Sequence, residues 1–259
     1  MWKIILPLLF IIPTWAQNLG VADRDEAKNL LNSSFGKMGN TFFCECPYIR
    51  KRIKKCEFTY DSYPKRQKQL EWSHIVSPEI FGPTFISWNE GHPKCERVAR
   101  FPSRSMMSSM NYSRSYYENL LEKKPFKGIE CARKVNDLYR RMEADLYNIV
   151  PVIGAVNALK NGQTPAEIHI FVPQFGKCDL KIMKRHIDPP DELKGDVARI
   201  YFYMEASYPG RVSIPSKTKM LLRKWSQLDP VSFKECQRAN KILRLQGNIN
   251  FFVQKKCRN

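Results

Sequence analysis

The chain has 259 residues, of which 43% are hydrophobic, and its 43 lysine and arginine residues outnumber 25 aspartate and glutamate residues, which gives a formal net charge of +18 at pH 7. No stretch beyond the first residues is apolar enough to span a membrane, and no internal repeat, low-complexity segment or linker divides the chain, so an integral membrane protein and a repeat protein are excluded. A solvated surface alone accounts poorly for this charge, which predicts an anionic partner: nucleic acid, anionic lipid or lipopolysaccharide.

The first residues, MWKIILPLLFIIPTWAQ, predict a secretory signal peptide. Lys3 precedes an apolar run, and Thr14 and Ala16 are small residues at the positions three and one before a cut. The run contains two prolines and is shorter than the roughly 20 residues of a spanning helix. We therefore expect cleavage after Ala16, export to the periplasm or the medium, and one soluble domain over residues 17–259. Losing Lys3, the one charged residue of the signal peptide, lowers the charge from +18 to +17.

The predicted elements indicate a mixed α+β domain in which strands come early and helices dominate the second half. Hydrophobic periodicity and β-branched or aromatic content carry each assignment. In chain order we predict a helix at Asp23 to Leu31, strands at Asn40 to Cys46 and Leu70 to Val76, an irregular insertion from Val98 to Lys127, a helix at Arg133 to Tyr147, a strand at Ile168 to Val172, and helices at Asp196 to Ala206, Lys217 to Leu228 and Ser232 to Leu245.

Eight cysteines in an exported chain indicate disulfides, because such bridges form outside the reducing cytosol. Zinc is the alternative, but the chain has no CxxC pair and its cysteine spacings are irregular, unlike those of structural zinc sites. Eight cysteines allow about a hundred pairings, so spacing leaves the connectivity open. The cysteines are Cys44, Cys46, Cys56, Cys95, Cys131, Cys178, Cys236 and Cys257.

Among the four histidines, His74 is the best candidate for chemistry, since it ends a predicted strand after Glu71 and lies close to a turn. A neutral imidazole with a pKa of about 6.5 can take a proton from water, which is what attack on a phosphodiester requires. Taken alone, a strand histidine is more often a structural residue.

Four long segments, in the same order, resemble the endonuclease I family of bacterial nucleases. The first contains the candidate histidine, and the cysteine pattern from FFCEC and GHPKC onward also matches. The segments are LEWSHIVSPEIFG (70–82), MEADLYNIVPVIGAVN (142–157), IDPPDELKGDVARIYFYM (187–204) and KECQRANKILRLQGNINFFVQKKC (234–257).

The resemblance implies a single disulfide-braced domain with a ββα-metal (His-Me finger) core that cleaves DNA, and RNA as well, to products with 5′-phosphate ends. It implies His74 as the general base, Asn148 as a ligand of one Mg²⁺ or Mn²⁺ ion, and the disulfides Cys44–Cys178, Cys46–Cys56, Cys95–Cys131 and Cys236–Cys257. Recognition should run through the phosphate backbone, which carries no base information. We expect a monomer without stable membrane association, and candidate phosphate-binding residues are Lys160, Lys181, Arg185 and Arg199.

Several positions depart from the family pattern. Ser73 stands where the family has a metal-binding glutamate, so we consider Glu71, two residues back on the same strand face, as a substitute ligand. Ile129 replaces a basic residue, Lys160 an arginine and Tyr147 a histidine. Two functions therefore stay open: a metal-dependent nuclease of DNA and RNA that is active but weakened in metal binding, and a nuclease-fold protein that has lost turnover and binds nucleic acid or another polyanion. A protein acting on anionic membranes would explain the charge but none of the motifs.

Overall fold

The structure, a computed structural model, describes residues 17–98, 123–160, 162–170 and 172–257. The signal peptide predicted for residues 1–16 lies outside the described residues, as does most of the irregular insertion predicted after Val98.

The described residues form a mixed helix and strand fold whose long helices lie in the second half, as the sequence predicts. The α-helices are α1 (Arg24–Ser34), α2 (Pro64–Gln67), α3 (Pro78–Phe81), α4 (Ile86–Asn89), α5 (Ile129–Val135), α6 (Asp137–Glu143), α7 (Gly154–Leu159), α8 (Lys194–Ser207), α9 (Ser216–Leu228), α10 (Phe233–Gln246) and α11 (Phe251–Gln254). Short 3₁₀ helices cover Gly82–Thr84, Leu146–Asn148 and Asp191–Leu193.

The strands are short and form small separate sheets. They are β1 (Met38–Asn40), β2 (Pro47–Ile49), β3 (Arg52–Ile53), β4 (Leu70–His74), β5 (Glu96–Val98), β6 (Lys123–Pro125), β7 (Ile149–Ile153), β8 (Thr164–Pro165), β9 (Lys181–Met183) and β10 (His186–Asp188). Within the described residues, the sheet orders are β1-β2-β3, β8-β10-β9, β4-β7 and β5-β6. The antiparallel β4-β7 pair matters most for function, because α7 follows β7 directly and closes over one end of β4.

Capping residues and the spacing of buried residues explain the helices that the sequence predicts correctly. Asp23 caps α1 by accepting hydrogen bonds from the backbone N–H groups of Asp25 and Glu26, and Ala27 and Leu31 bury one face of the helix. Ser232 caps α10 in the same way, through the backbone N–H of Glu235. The predicted helices in the second half correspond to α8, α9 and α10.

Three predicted elements are wrong. The strand predicted at Asn40 to Cys46 ends at Asn40, because Thr41 and Cys46 close a turn through two hydrogen bonds. The helix predicted at Arg133 to Tyr147 is divided at Asn136, whose extended backbone ends α5 and whose side chain caps α6. Residues 168–170 and 172 are not in a strand, and the backbone N–H of Ile168 instead bonds a carboxylate oxygen of Asp188.

The four disulfides join the pairs that the resemblance implies: Cys44–Cys178, Cys46–Cys56, Cys95–Cys131 and Cys236–Cys257. The Cys44–Cys178 bridge spans 134 positions of sequence and attaches the N-terminal turn to the segment before β9. Closing so long a loop constrains the unfolded chain strongly.

A buried polar network holds the segment between α6 and β7 against the C-terminal helices. The fully buried carboxylate of Asp145 accepts hydrogen bonds from the hydroxyls of Tyr203 and Tyr208, each at 2.7 Å, and from Gln246 at 3.0 Å. Burial of a carboxylate is tolerated only when it is fully hydrogen-bonded, so this network fixes where β7 begins. Among the described residues, no helix is both long and apolar enough to cross a bilayer.

Candidate active site

His74 ends β4, at the point where the β4-β7 pair places it opposite Ile149. Its Nε2 lies 2.7 Å from the backbone carbonyl oxygen of Glu143. A carbonyl oxygen only accepts hydrogen bonds, so the neutral ring must carry its proton on Nε2. Nδ1 is therefore the nitrogen with the free lone pair, and the structure assigns it as the basic atom.

The surroundings of His74 keep its ring uncharged. Burial lowers the pKa of His74, the hydrogen bond to the Glu143 carbonyl raises it, and the nearby charges of Lys160 and Arg24 lower it again, with a net lowering. A histidine with a pKa below its usual value is neutral at pH 7 and ready to accept a proton.

The carbonyl that orients His74 is itself held in place. The side chain of Glu143 is almost completely buried at the end of α6, and Arg133 of α5 binds both of its carboxylate oxygens, one of them at 2.7 Å. A paired Arg–carboxylate contact with two parallel hydrogen bonds is directional as well as strong. This pair consequently fixes the geometry of the Glu143 backbone and of the imidazole bonded to it.

Asn157 of α7 contributes an amide beside His74. Its Nδ2 donates a 2.8 Å hydrogen bond to Glu71 Oε2, so its Oδ1 is the amide atom left to accept hydrogen bonds or bind a cation. Glu71 also binds Arg66 through Nε at 2.9 Å and Nη2 at 2.6 Å. A side chain at Gly154 would collide with this arrangement, because its Cβ would lie 2.5 Å from Glu71 Oε1.

The contacts of Glu71 differ from those expected of a substitute metal ligand. Burial raises the pKa of the Glu71 carboxyl, but hydrogen bonds from Arg66 and Asn157 outweigh burial and lower it. Its carboxylate is engaged by these two partners, so the structure places it behind Asn157 as a positioning group rather than as a substitute metal ligand.

The expected role of Asn148 needs correction. This residue is completely buried, its Oδ1 accepts from the backbone N–H of Val76 at 2.7 Å, and its Nδ2 donates to the Val76 carbonyl at 2.9 Å. Both ends of the amide are bonded to backbone, and the completely buried side chain lines neither of the cavities that contain His74, which argues against a cation at this amide. Asn148 holds the segment after His74 in place. Asn157, nine positions later in the same matched segment, is the asparagine that faces the histidine.

Ser73 and Lys160 complete the surroundings of His74. Ser73 is buried and pairs with Val150 in the β4-β7 register. Lys160, directly after α7, is also buried, and its Nζ donates to the His74 carbonyl. Burial lowers the pKa of the Lys160 amine to about 7. Tyr147 is buried among the C-terminal helices, where its hydroxyl donates to the Asn248 carbonyl at 2.9 Å.

Two cavities share His74, Trp72, Arg24 and Asn157. The first, which we call the α1 cavity, has a volume of about 310 Å³, and its charged lining consists of Arg24, Lys28, Lys51 and Glu71. The second, the His74 cavity, has a volume of about 280 Å³, and its polar and charged lining includes Ser73, Ser77, Glu79, Arg133, Glu143 and Lys160. Ile129 also lines the His74 cavity and adds no charge there.

The other expected phosphate-binding residues lie elsewhere. Arg199 is a correction: it is 1% exposed, and it donates to both carboxylate oxygens of Glu235, to the Asp229 carbonyl and to Asp196, so it stabilises the packing of α8 against α10 and cannot reach DNA. Lys181 pairs with Asp179 at 3.0 Å, and Arg185 is exposed in the turn between β9 and β10. Neither lines the two cavities.

The donor set beside His74 is poor in carboxylates that are free to bind metal. Among the described residues, no group of three histidine, cysteine, aspartate or glutamate side chains is placed to hold an ion. Two neutral oxygens line the His74 cavity beside the histidine, the Asn157 amide oxygen and the Ser73 hydroxyl, and both are hard donors of the kind that Mg²⁺ accepts. Glu79 is a carboxylate in the same lining, and its Oε2 accepts a hydrogen bond from the Ser77 hydroxyl at 3.0 Å.

A family model described as Endonuclease I matches residues 25–257. The chain is similar to an Endonuclease-1 of Buchnera aphidicola subsp. Acyrthosiphon pisum, with 26% identity over 84% of this chain and 74% of the relative. It is similar to an extracellular deoxyribonuclease of Aeromonas hydrophila, with 26% identity over 98% of this chain and 97% of the relative. A periplasmic deoxyribonuclease of Aeromonas hydrophila is 25% identical over 84% of this chain and 79% of its own length.

Proposed function

The chain belongs to the endonuclease I family, and we propose that it is a metal-dependent endonuclease that hydrolyses phosphodiester bonds of DNA, and of RNA, without sequence preference. The observation that carries this proposal is the fixed tautomer of His74. Its Nε2 proton is held by the Glu143 carbonyl, so the lone pair of Nδ1 is available, and Asn157 lines the same two cavities as the histidine. In this proposal β4, β7 and α7 are the ββα-metal core, in residues 17–259 of the exported chain.

In the proposed reaction, His74 Nδ1 removes a proton from a water molecule while the oxygen of that water attacks phosphorus. The bond from phosphorus to the 3′ oxygen breaks, the 3′ oxygen takes a proton from solvent, and the products carry a 5′-phosphate and a 3′-hydroxyl. A general base of this kind contributes about 10² to 10⁴ in rate. Arg24 and Lys160 lie close enough to His74 to affect its pKa, and their positive charges favour an anionic phosphate there.

One Mg²⁺ or Mn²⁺ ion would supply positive charge at the phosphate and at the departing oxygen. Asn157 would hold the ion through Oδ1. The Ser73 hydroxyl would take the place of the glutamate that the family pattern has at this position. Two neutral oxygens fit a cation that keeps several of its waters. Binding of the cation would be weak, because neither ligand is charged and because the positive charges of Lys160 and Arg24 act on the same site. We therefore propose a high requirement for divalent cation.

The protein acts outside the cytoplasm: the relatives are named extracellular and periplasmic deoxyribonucleases, and four disulfides brace the fold. A relative that aligns with nearly the whole chain is named a deoxyribonuclease, which supports DNA as the substrate. Cleavage of RNA is proposed because cations that bind phosphates do not distinguish the two nucleic acids. The preserved His74 tautomer favours turnover over a protein that only binds polyanions.

The test is a cleavage assay of the purified, disulfide-bonded protein on plasmid DNA and on RNA, across a range of magnesium and manganese concentrations and with EDTA. We expect cleavage of both substrates that EDTA abolishes, and product ends that a 5′-phosphate-dependent exonuclease can degrade. His74→Ala is the matched control and should leave both substrates intact. A parent protein that binds DNA but cleaves neither substrate at any cation concentration would overturn the proposal.

A further inference from the structure

The hairpin between β2 and β3 has an unusual turn. Ile49 pairs with Arg52, so only Arg50 and Lys51 connect the strands, and their φ angles are 48° and 63°. A two-residue turn with both central residues in the left-handed region is the type that strongly prefers Asn-Gly. A side chain with a Cβ is strained in that conformation, and two consecutive basic residues there are not explained by turn propensity. Strained residues of this kind concentrate at functional sites.

The strained turn is attached to the strand that carries the catalytic base. The backbone N–H of Leu70, the first residue of β4, donates to the Lys51 carbonyl at 2.8 Å, and Arg52 forms a bridge with Gln69. Lys51 lines the α1 cavity together with His74 and Asn157. The turn therefore holds Lys51 in the lining of the cavity that contains His74.

Two further basic residues line the same cavity. Arg24 and Lys28 are four residues apart on α1, so they lie on one face of the helix, and both are exposed. The position of α1 is fixed relative to β4, because Trp72 Nε1 donates to Asn32 Oδ1 at 2.8 Å. The one carboxylate among the lining residues, Glu71, is already neutralised by Arg66. Within the described part of the chain, Arg24, Lys28 and Lys51 form no ion pair.

We infer that Arg24, Lys28 and Lys51 form a subsite that binds a backbone phosphate of the nucleic acid next to the phosphate that is cleaved. The inference rests on the proposed function and extends it. The His74 cavity receives the scissile phosphate, and the α1 cavity, which shares His74 in its lining, receives the neighbouring phosphate along the strand. Three cations that line one cavity and form no ion pair with the described residues suit a phosphodiester, and contacts to phosphate carry no base information, so the subsite is independent of sequence.

Lys51→Asn is the decisive variant. Asparagine tolerates the left-handed region, so the turn is kept while the charge is lost. Binding of a fluorescent duplex is measured against salt concentration in proteins that also carry His74→Ala, which keeps the duplex intact. We expect affinity to fall about tenfold near ~0.1 M salt and the salt slope to decrease by about one. In proteins with the native histidine, the KM for long DNA should rise by a similar factor while kcat changes little.

Three further variants make the result specific. Lys51→Arg keeps the charge and should bind within about twofold of the parent. Lys28→Gln leaves the hairpin untouched and should reproduce the loss of affinity seen with Lys51→Asn, which guards against a folding defect in the turn. Lys184→Asn removes a lysine from another hairpin turn, where φ is 53°, that lines neither cavity, and it should bind within about twofold of the parent.

The outcomes separate this inference from the proposed function. If the His74→Ala protein binds no duplex DNA, the proposed function itself fails. If it binds DNA, but Lys51→Asn and Lys28→Gln bind as well as the parent, or Lys184→Asn loses as much affinity as Lys51→Asn, then only the subsite is overturned.

Discussion

Asn157 and Glu71, which are 86 positions apart in the sequence, meet at 2.8 Å, where the amide Nδ2 of one donates to the carboxylate Oε2 of the other. This contact decides which atom of the amide faces the site, since Oδ1 must point away from the carboxylate. Arg66 on the far side of Glu71 keeps that carboxylate ionised. Partners that orient a ligand in this way commonly affect activity nearly as much as the ligand itself.

Glu71→Gln should therefore reduce activity without removing a group that touches substrate. We expect kcat to fall about 10-fold to 100-fold and the divalent-cation concentration for half-maximal activity to rise, because the neutral amide no longer holds Asn157 in one orientation. Activity is measured against magnesium and manganese concentration. Arg66→Lys, which keeps a positive partner, is the control and should be affected less. Equal cation dependence of parent and Glu71→Gln would contradict a positioning role.

Alanine substitutions at the two asparagines should have opposite effects. Asn148→Ala removes two buried hydrogen bonds to the Val76 backbone and should lower the free energy of unfolding by about 2 to 4 kcal/mol. Asn157→Ala should leave stability within about 1 kcal/mol and lose most of the activity. Urea denaturation and cleavage assays on both variants check this. If the Asn148 variant were stable but inactive, and the Asn157 variant active, the assignment of the two residues would have to be exchanged.

His74→Ala should lower the cleavage rate by about 10² to 10⁴ and leave affinity for DNA nearly unchanged. His186→Ala, at an exposed position on β10, is the matched control and should cleave as the parent does. In the parent, activity should fall as the pH drops through the pKa of His74, which lies below the usual value of about 6.5. An acid limb centred well above that value would contradict the assignment of His74 as the base.

Ser73→Glu restores the carboxylate that the family pattern has beside the histidine. The charged oxygen should bind a hard cation better than the hydroxyl does, so the cation concentration for half-maximal activity should fall by about tenfold or more. Because position 73 is buried, the same variant should be less stable in EDTA than in magnesium. Ser73→Gln, of similar size and uncharged, is the control. A glutamate variant with the cation requirement of the parent would show that no cation binds here.

Lys160→Met should change how stability depends on pH. In the parent, the native amine loses its proton near pH 7, whereas the unfolded amine keeps it to about pH 10.5. Between these values the unfolded state binds more protons, so the stability of the parent rises with pH. The Lys160→Met variant lacks this dependence. The amount by which its free energy of unfolding exceeds that of the parent should therefore be largest below pH 7 and shrink toward pH 10. Urea denaturation at pH 6, 8 and 10 measures it. A difference that is constant across that range would contradict the lowered pKa.

Much of the local structure follows from short stretches of sequence. Asp23 and Ser232 cap their helices through backbone N–H groups two or three residues away, so the start of each helix can be read from its neighbours. The strand of His74 was also predicted, although it ends at His74 itself. Asn40 to Cys46 misled the prediction, because its β-rich composition is overridden by a turn that Thr41 closes and by two disulfides.

The sequence by itself determined the family, the export signal as an expectation, and the candidate base, since each depends on residues close together in the chain. It could not determine which asparagine lies beside His74, which partners bind Glu71, or that Arg199 is buried in ion pairs. The contact of His74 with Glu143 spans 69 positions, that of Asn148 with Val76 spans 72, and Arg199 meets Glu235 across 36. Hydrogen-bond partners at such separations are chosen by the packing of whole elements, so only the tertiary structure shows that the Asn148 amide is bonded at both ends to Val76, whereas Asn157 is bonded to Glu71 through Nδ2.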